Sequence, residues 1–276
     1  MNRQTARRRR RQSLNRAVIL IVLVAAIFVG AFYMLSQQKK NVEVQQLGNL
    51  TYVKTAPGLN ERIINYKGMT VSFNADLHIP NWVAWELTAD EAAGSEPRSN
   101  NFYNDPDIAG CAYPEDYTGS GYDRGHMAPA GDMKWDKTAM EETFCLTNIA
   151  PQDGSLNRGT WKKIEEKCRA RVVADSAIII VCGPVLTEAP REFIGDSRVA
   201  VPQRFFKVIL SPWAKTPQAI GFLVDNGAVP GGMQAAAVTV DEIEALTGHD
   251  FFSTLPDSIE ASLESKINFT RWSRLK

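Results

Sequence analysis

The chain contains no Cys-x-x-Cys pair and no Gly-x-Ser-x-Gly, and it has only three histidines and four cysteines in 276 residues. The first absence makes zinc held by paired cysteines a poor expectation. The second removes the strained serine elbow of one large class of hydrolases, and no cysteine has a local acid-base context of the kind that makes a nucleophile. There is no internal repeat, and after residue 40 no low-complexity tract, so a solenoid or a disordered tail is not the reading. Hydrophobic residues at 44% and charged residues at 22% are ordinary for a globular protein with a sizeable core.

Acid is missing altogether from residues 1–40, which hold nine of the 31 Lys and Arg (Arg3, Arg7 to Arg11, Arg16, Lys39 and Lys40). Residues 1–16 read as a basic cytoplasmic tail. Ala17 to Leu35 is 19 residues without charge, diluted only by Gly30 and Tyr33. At ~1.5 Å per residue it reaches ~28 Å, the hydrocarbon thickness of a bilayer. Arginines on its amino side hold that end in the cytoplasm and send the rest across, which predicts a single-pass membrane protein with an extracytoplasmic domain, periplasmic or extracellular. Val29-Gly30-Ala31 offers a peptidase site that would make the product secreted, but the apolar run exceeds the ~7 to 15 residues of a signal peptide and favours a retained anchor. The arginine run also fits a nucleic-acid contact, although its position favours topology.

Removing that segment exposes what the formal net charge of zero conceals, because the remainder carries an excess of about nine acids. Bulk attraction for a polyanion is then weak, and any nucleic-acid contact must be local, transient and metal-assisted. Past the span lie Cys111, Cys145, Cys168 and Cys182, which an oxidising compartment would allow to form up to two disulfides in one of three connectivities. Buried free thiols are the equal alternative.

Residues 36–60 are polar and irregular and read as a stalk, leaving residues 61–276 for the domain. Met69 to Asn74 and Val83 to Leu87 read as strands, with Val83, Trp85 and Leu87 on one face. A turn-rich excursion from Thr88 to Gly125 follows, long enough to be functional. Thr143 to Ala150 reads as another strand. Leu156, Trp161, Ile164 and Cys168 then recur at the period of an amphipathic helix. Ala177 to Cys182 suits a buried strand, and Arg204 to Leu210 with Gln218 to Val224 suit two more. Thr239-Val240-Asp241-Glu242 matches a capping box for a short helix through Leu246 that Gly248 ends.

Against this background Asp123-Arg124-Gly125-His126 stands out, followed by Asn157 and, eight residues on, Glu165. Phosphodiester hydrolysis needs a deprotonated water, a cation on the phosphate oxygens and donors for developing charge. His126 is the candidate general base because imidazole titrates near neutrality without strong perturbation. His78 and His249 have no neighbouring ligand set. Gly125 would let backbone approach the substrate. Asn157 offers a neutral oxygen suited to Mg²⁺. Glu165, two turns along the same helix, would hold the ion through water. The competing reading of Glu165 is an i,i+4 pair with Arg169, and of Asn157 a helix N-cap. Asp123 is more plausibly a brace for the loop or a partner of an arginine. Arg158, Lys162 and Lys163 are more plausibly the wet face of the helix than a strip for the phosphate backbone.

Taken with Asn148-Ile149-Ala150-Pro151-Gln152 and Asn157-Arg158-Gly159-Thr160-Trp161, these residues closely resemble the DNA/RNA non-specific endonucleases of the ββα-metal (His-Me finger) type, a family that takes in mitochondrial endonuclease G and secreted bacterial nucleases. The resemblance runs from about Tyr66 to Phe252 and includes Arg98 to Phe102 and Tyr113 to Tyr117. It implies an α+β fold with a central antiparallel sheet flanked by helices, here preceded by one transmembrane helix. It implies His126 as general base, Asn157 as the direct metal ligand and Glu165 as its partner through water. Arg98 and Arg124 become phosphate or transition-state contacts and Asn148 a residue that orients the site. The cofactor implied is Mg²⁺, with Mn²⁺ tolerated, and the substrates are DNA and RNA. The partners expected are nucleic acid and, through the N-terminal helix, the membrane; beyond a second copy of the chain no protein partner is expected. The alternative is a catalytically silent, membrane-tethered nucleic-acid-binding or interaction domain on the same scaffold, which would need none of His126, Asn157 and Glu165.

Overall fold

Val83, Trp85 and Leu87 bury in one apolar cluster while Trp82 and Ala84, between and beside them, bury in another. Ile178, Ile180 and Cys182 alternate in the same way with Ile179 and Val181. A strand whose successive side chains point to opposite faces reads as a continuous apolar run only when both faces are covered, and the central sheet is such a layer.

The computed structural model describes residues 49–187 and 189–274, together with Ala26, Val29 and Gly30. In chain order the strands are β1 (Val53–Lys54), β2 (Arg62–Asn65), β3 (Thr70–Asn74), β4 (Ile79–Thr88), β5 (Asp123–His126), β6 (Ile149–Gln152), β7 (Ala177–Pro184), β8 (Phe193–Ile194), β9 (Val199–Ala200), β10 (Arg204–Ser211), β11 (Gln218–Asp225), β12 (Ala237–Val238) and β13 (Asp250–Phe251). The helices are α1 (Ala89–Ala92), α2 (Lys137–Glu142), α3 (Lys162–Asp175), α4 (Gly232–Ala236), α5 (Val240–Thr247), α6 (Asp257–Glu264) and α7 (Phe269–Ser273). Seven strands form one antiparallel sheet in the order β12-β11-β10-β7-β4-β3-β2. Ile180 of β7 is the centre of the register, opposite Trp85 on one side and Ile209 on the other. The expected α+β architecture with a large antiparallel sheet is therefore present.

β5 and β6 form a separate antiparallel pair, with His126 opposite Ile149 and Arg124 opposite Pro151. The strand expected over Thr143 to Ala150 is replaced by a turn, an isolated bridge from Cys145 to Tyr103 and a 3-10 turn at Leu146–Asn148, and pairing with β5 begins only at Ile149. Phe144, Cys145 and Leu146 are buried by packing and by backbone bonds to Tyr103 rather than within a sheet, which periodicity cannot tell from burial in a strand. The helix expected to run unbroken from Leu156 is also interrupted. Leu156–Trp161 is a π-type turn with Gly159 outside helical geometry, and α3 begins at Lys162.

Residues 49–60, assigned by composition to a stalk, pack into the folded unit. Leu50 and Val53 are buried, β1 pairs with β13, and Trp82 donates its indole N–H to Thr55 at 2.7 Å. The predicted span Ala17 to Leu35 lies outside the described residues except for Ala26, Val29 and Gly30, which are helical. Among the described residues no helix is long and apolar enough to cross a membrane. The Thr239 capping box is formed, and Gly248 ends α5 at φ 75°, a left-handed conformation that glycine adopts without a Cβ clash. All four cysteines are buried free thiols.

Candidate active site

β5 delivers His126 to the floor of a cavity of about 270 Å³ whose lining includes Arg98, Arg124, Asn157, Glu165 and Arg169. Gly125 packs so closely on β6 that an added Cβ would stand 2.5 Å from Cβ of Gln152 and 3.0 Å from the carbonyl oxygen of Ala150. The glycine is thus required by the strand pair rather than by approach of a substrate. The His126 carbonyl accepts the indole N–H of Trp161 at 3.2 Å, which ties the strand to the helical segment.

The imidazole lies against Phe144, centroids 4.9 Å apart and edge-on, and against Phe102 at 5.3 Å. Its Nε2 is buried without a hydrogen-bond partner. Burial between the rings, with Arg98 nearby, pushes its pKa down to about 3. The sequence expectation of an unperturbed imidazole is therefore corrected. Charge is expelled from an apolar surround, and the ring is neutral over the whole physiological range.

Asn148 is fully buried and holds the turn behind the histidine. Its amide nitrogen donates to the carbonyls of Ala128 and Thr143, both at 2.9 Å, and its oxygen accepts from the Ala128 N–H at 2.9 Å. All of those groups are engaged by backbone, and the side chain is not part of the cavity lining.

Asn157 sits on the π-type turn, where its Nδ2 donates to Asp123 at 2.9 Å. The carboxylate accepts only, so the NH₂ end must point at it and the carbonyl oxygen is left for a ligand. Asp123 also pairs with Arg158 at 2.6 Å, the structural role expected of it.

Glu165, on α3 beyond the Gly159 break, is half-buried with its pKa pushed up to about 7 by burial, an effect that Lys207 opposes most strongly. The i,i+4 ion pair with Arg169, the competing reading of Glu165, is not formed. Arg169 instead bonds Asp132 at 2.7 Å, and Asp132 also accepts the indole N–H of Trp85 at 3.1 Å. Buried Asp132 competes better for the guanidinium than a carboxylate on the cavity wall.

The arginines occupy the rim. Arg124 donates to the Pro114 carbonyl at 2.7 Å and lies over the Phe102 ring at 5.3 Å, with a buried Nε that has no partner. Arg98 lies over Phe144 at 5.0 Å and bonds Asn100 at 3.2 Å. The two guanidiniums thus flank the edge-packed cluster of Phe144, His126 and Phe102. Arg158 and Lys162 also border the cavity, so cationic side chains outnumber Glu165 in a region of an otherwise acidic domain. Positive charge is local, as the charge distribution required.

Two contributors escaped the sequence reading. Arg169 lines the cavity but was counted only as a possible helix pair. Lys207, 1% exposed in mid-β10, sits 4.4 Å from the Trp161 ring centre and 5.1 Å from that of Trp85. A lone lysine flanked by apolar strand residues gave the only signal available. A larger cleft of about 560 Å³ lies between α3 and α7, but its Arg171 is already held by Asp175 and by the carbonyls of Arg271, Trp272 and Arg274.

Residues 47–258 match the DNA/RNA non-specific endonuclease family. The mitochondrial nuclease EXOG of Mus musculus is 36% identical over 211 residues, covering 70% of this chain and 57% of the mouse protein. The chain thus matches a little over half the length of that relative. A nuclease of Nostoc sp. is 34% identical over 214 residues, covering 72% of this chain and 76% of its own. Among solved structures, the EndoG/EndoGI complex aligns with a TM-score of 0.69 at 28% identity, over 78% of this chain and 93% of the other. The family match spans the β5–β6 pair, the broken helix and the sheet behind them, and the chain belongs to the DNA/RNA non-specific endonuclease family.

Proposed function

We propose that the cavity is the catalytic centre of a magnesium-dependent endonuclease that hydrolyses phosphodiester bonds of DNA and RNA, with His126 as the general base that activates water. The observation that carries this reading is the His126 Nε2: buried, without a partner, and set among Arg98, Arg124, Asn157 and Glu165. A neutral imidazole nitrogen that no protein donor occupies is available for a proton.

The residues fit the ion. Asn157 offers a carbonyl oxygen whose orientation Asp123 sets, and Glu165 adds carboxylate oxygens, a hard donor set with few protein ligands that suits Mg²⁺, or Mn²⁺, over zinc. Asn157 would hold it directly and Glu165 through water. When bound, Mg²⁺ supplies charge neutralisation on the phosphate oxygens and the leaving oxygen.

The chain's own groups account for the rest. Arg98 and Arg124 present guanidinium groups to the non-bridging oxygens, and the aromatic rings beneath them limit their swing. A phosphodiester seated there offsets the Arg98 charge that depresses His126, so the base gains proton affinity when substrate is present. His126 takes the proton from water as the new P–O bond forms, and the P–O bond to the leaving oxygen breaks. Contacts with phosphate alone would give no base selectivity.

The test is degradation of plasmid DNA and of RNA by the full chain, with and without EDTA. Loss of activity on chelation, and a fall of about 10² to 10⁴-fold in His126→Ala, are expected. Cleavage that is undiminished by either change overturns the mechanism. The arginine-rich segment ahead of Ala17 to Leu35 supports an anchored domain outside the cytoplasm. Resistance of the domain to external protease, in cells whose outer barriers have been opened, would overturn that placement.

A further inference from the structure

α5 and α6 pack through Val240, Ile243 and Leu263 against the apolar cluster on the face of the sheet that the active site does not use. Asp241 and Glu244, three residues apart on α5, share one side of the helix, and Glu264 ends α6. One oxygen from each carboxylate lies within 4.8 Å of the others. Asp241 is exposed, Glu244 is half-buried and Glu264 is only 4% exposed.

A second observation separates this group from an ordinary acidic surface. The Oε1 of Glu264 is buried and has no hydrogen-bond partner. The charges that act on Glu264 most strongly are those of Glu244, Glu260, Asp241 and Asp250, all of one sign. Nearby Lys54 is engaged by Asp250 at 2.7 Å. The carboxyl end of α6 adds the negative pole of the helix. A carboxylate without donors or counter-charge in such a position is strongly disfavoured.

The geometry points to a calcium site, with Asp241, Glu244 and Glu264 each giving one oxygen and water completing the shell. Glu244 keeps its Oε1 on the Phe251 N–H at 2.7 Å, which leaves its other oxygen for the ion. Three carboxylates on one ion suit Ca²⁺, which takes about 6–8 oxygen ligands in flexible geometry, better than Mg²⁺, which is held by one or two carboxylates and keeps its waters. The cation ties α5 to α6 and supplies the charge that Glu264 lacks. Its role is to brace the domain, and it stands independently of the proposed catalytic ion.

The test uses the full chain carrying Asn157→Ala, which removes the direct ligand proposed for magnesium, stripped with chelator and titrated with calcium chloride by calorimetry. One calcium binds, and about 10 mM calcium raises the unfolding midpoint by about 3 to 8 °C, more than the same concentration of magnesium. Adding Glu264→Gln abolishes both responses. Adding Asp241→Asn, at an exposed position that folding does not need, weakens binding by about tenfold or more. Absence of calcium binding, or binding that both substitutions leave unchanged, overturns the site; the first result would mean that Glu264 is simply protonated, the second that calcium binds elsewhere. Asp241→Asn in the otherwise unaltered chain retains the magnesium-dependent nuclease activity, so failure of the nuclease reading and failure of this one are told apart.

Discussion

Oδ2 of Asp123 accepts a 2.9 Å hydrogen bond from Nδ2 of Asn157, and this contact alone settles which end of the amide is left for a ligand. Asp123→Ala frees the amide to rotate. Partners that orient a metal ligand are worth about 10 to 100-fold in affinity, so the magnesium concentration for half-maximal cleavage rises by that factor. Stability changes by less than about 1 kcal/mol, because the Arg158 end of the accompanying pair is 71% exposed. Titrating magnesium against cleavage rate checks this, and an unchanged metal dependence counts against the role given to Asp123.

Asn148 behaves differently, because its three hydrogen bonds end on buried backbone. Asn148→Ala leaves the Ala128 N–H and the carbonyls of Ala128 and Thr143 unpaired, at about 1 kcal/mol or more each. A loss of about 3 kcal/mol is expected from denaturant unfolding, with cleavage reduced at temperatures where the protein remains folded. A variant with wild-type stability would show that the turn behind His126 is held by something else.

His249 gives the protein an acid sensitivity remote from the cavity. It is 3% exposed, its Nδ1 accepts the Ala56 N–H at 2.9 Å, and burial pushes its pKa down from 6.5 to about 4. A group depressed in the folded state contributes stability that is fully present above its unfolded pKa. That stability is lost as pH falls from about 6.5 toward 4, by about 3 kcal/mol at most. His249→Gln keeps an acceptor and removes the titration, so its stability-against-pH curve should be flatter across that window. Parallel curves for the two proteins would exclude His249 as the cause.

The sheet was legible because β7, β10 and β11 are apolar runs whose two faces both need cover, and α5 because Thr239 and Glu242 declare a capping box. The motif likewise marked His126, Asn157 and Glu165, which the fold brings to one cavity. What the sequence hid was tertiary. The depressed His126 pKa depends on Phe102 and Phe144, rings delivered by separate segments. The partner of Arg169 turned out to be Asp132, which local spacing cannot favour over Glu165. Lys207 was invisible as a buried cation because a strand pattern does not say which aromatic faces meet it.

The departure from helical geometry at Gly159 means that Asn157 and Glu165 answer to different anchors. One is moored to the β5 strand through Asp123, the other to the sheet through α3. A substitution that tilts the long helix displaces the carboxylate and leaves the amide where it was, without rebuilding the β5–β6 pair that carries His126.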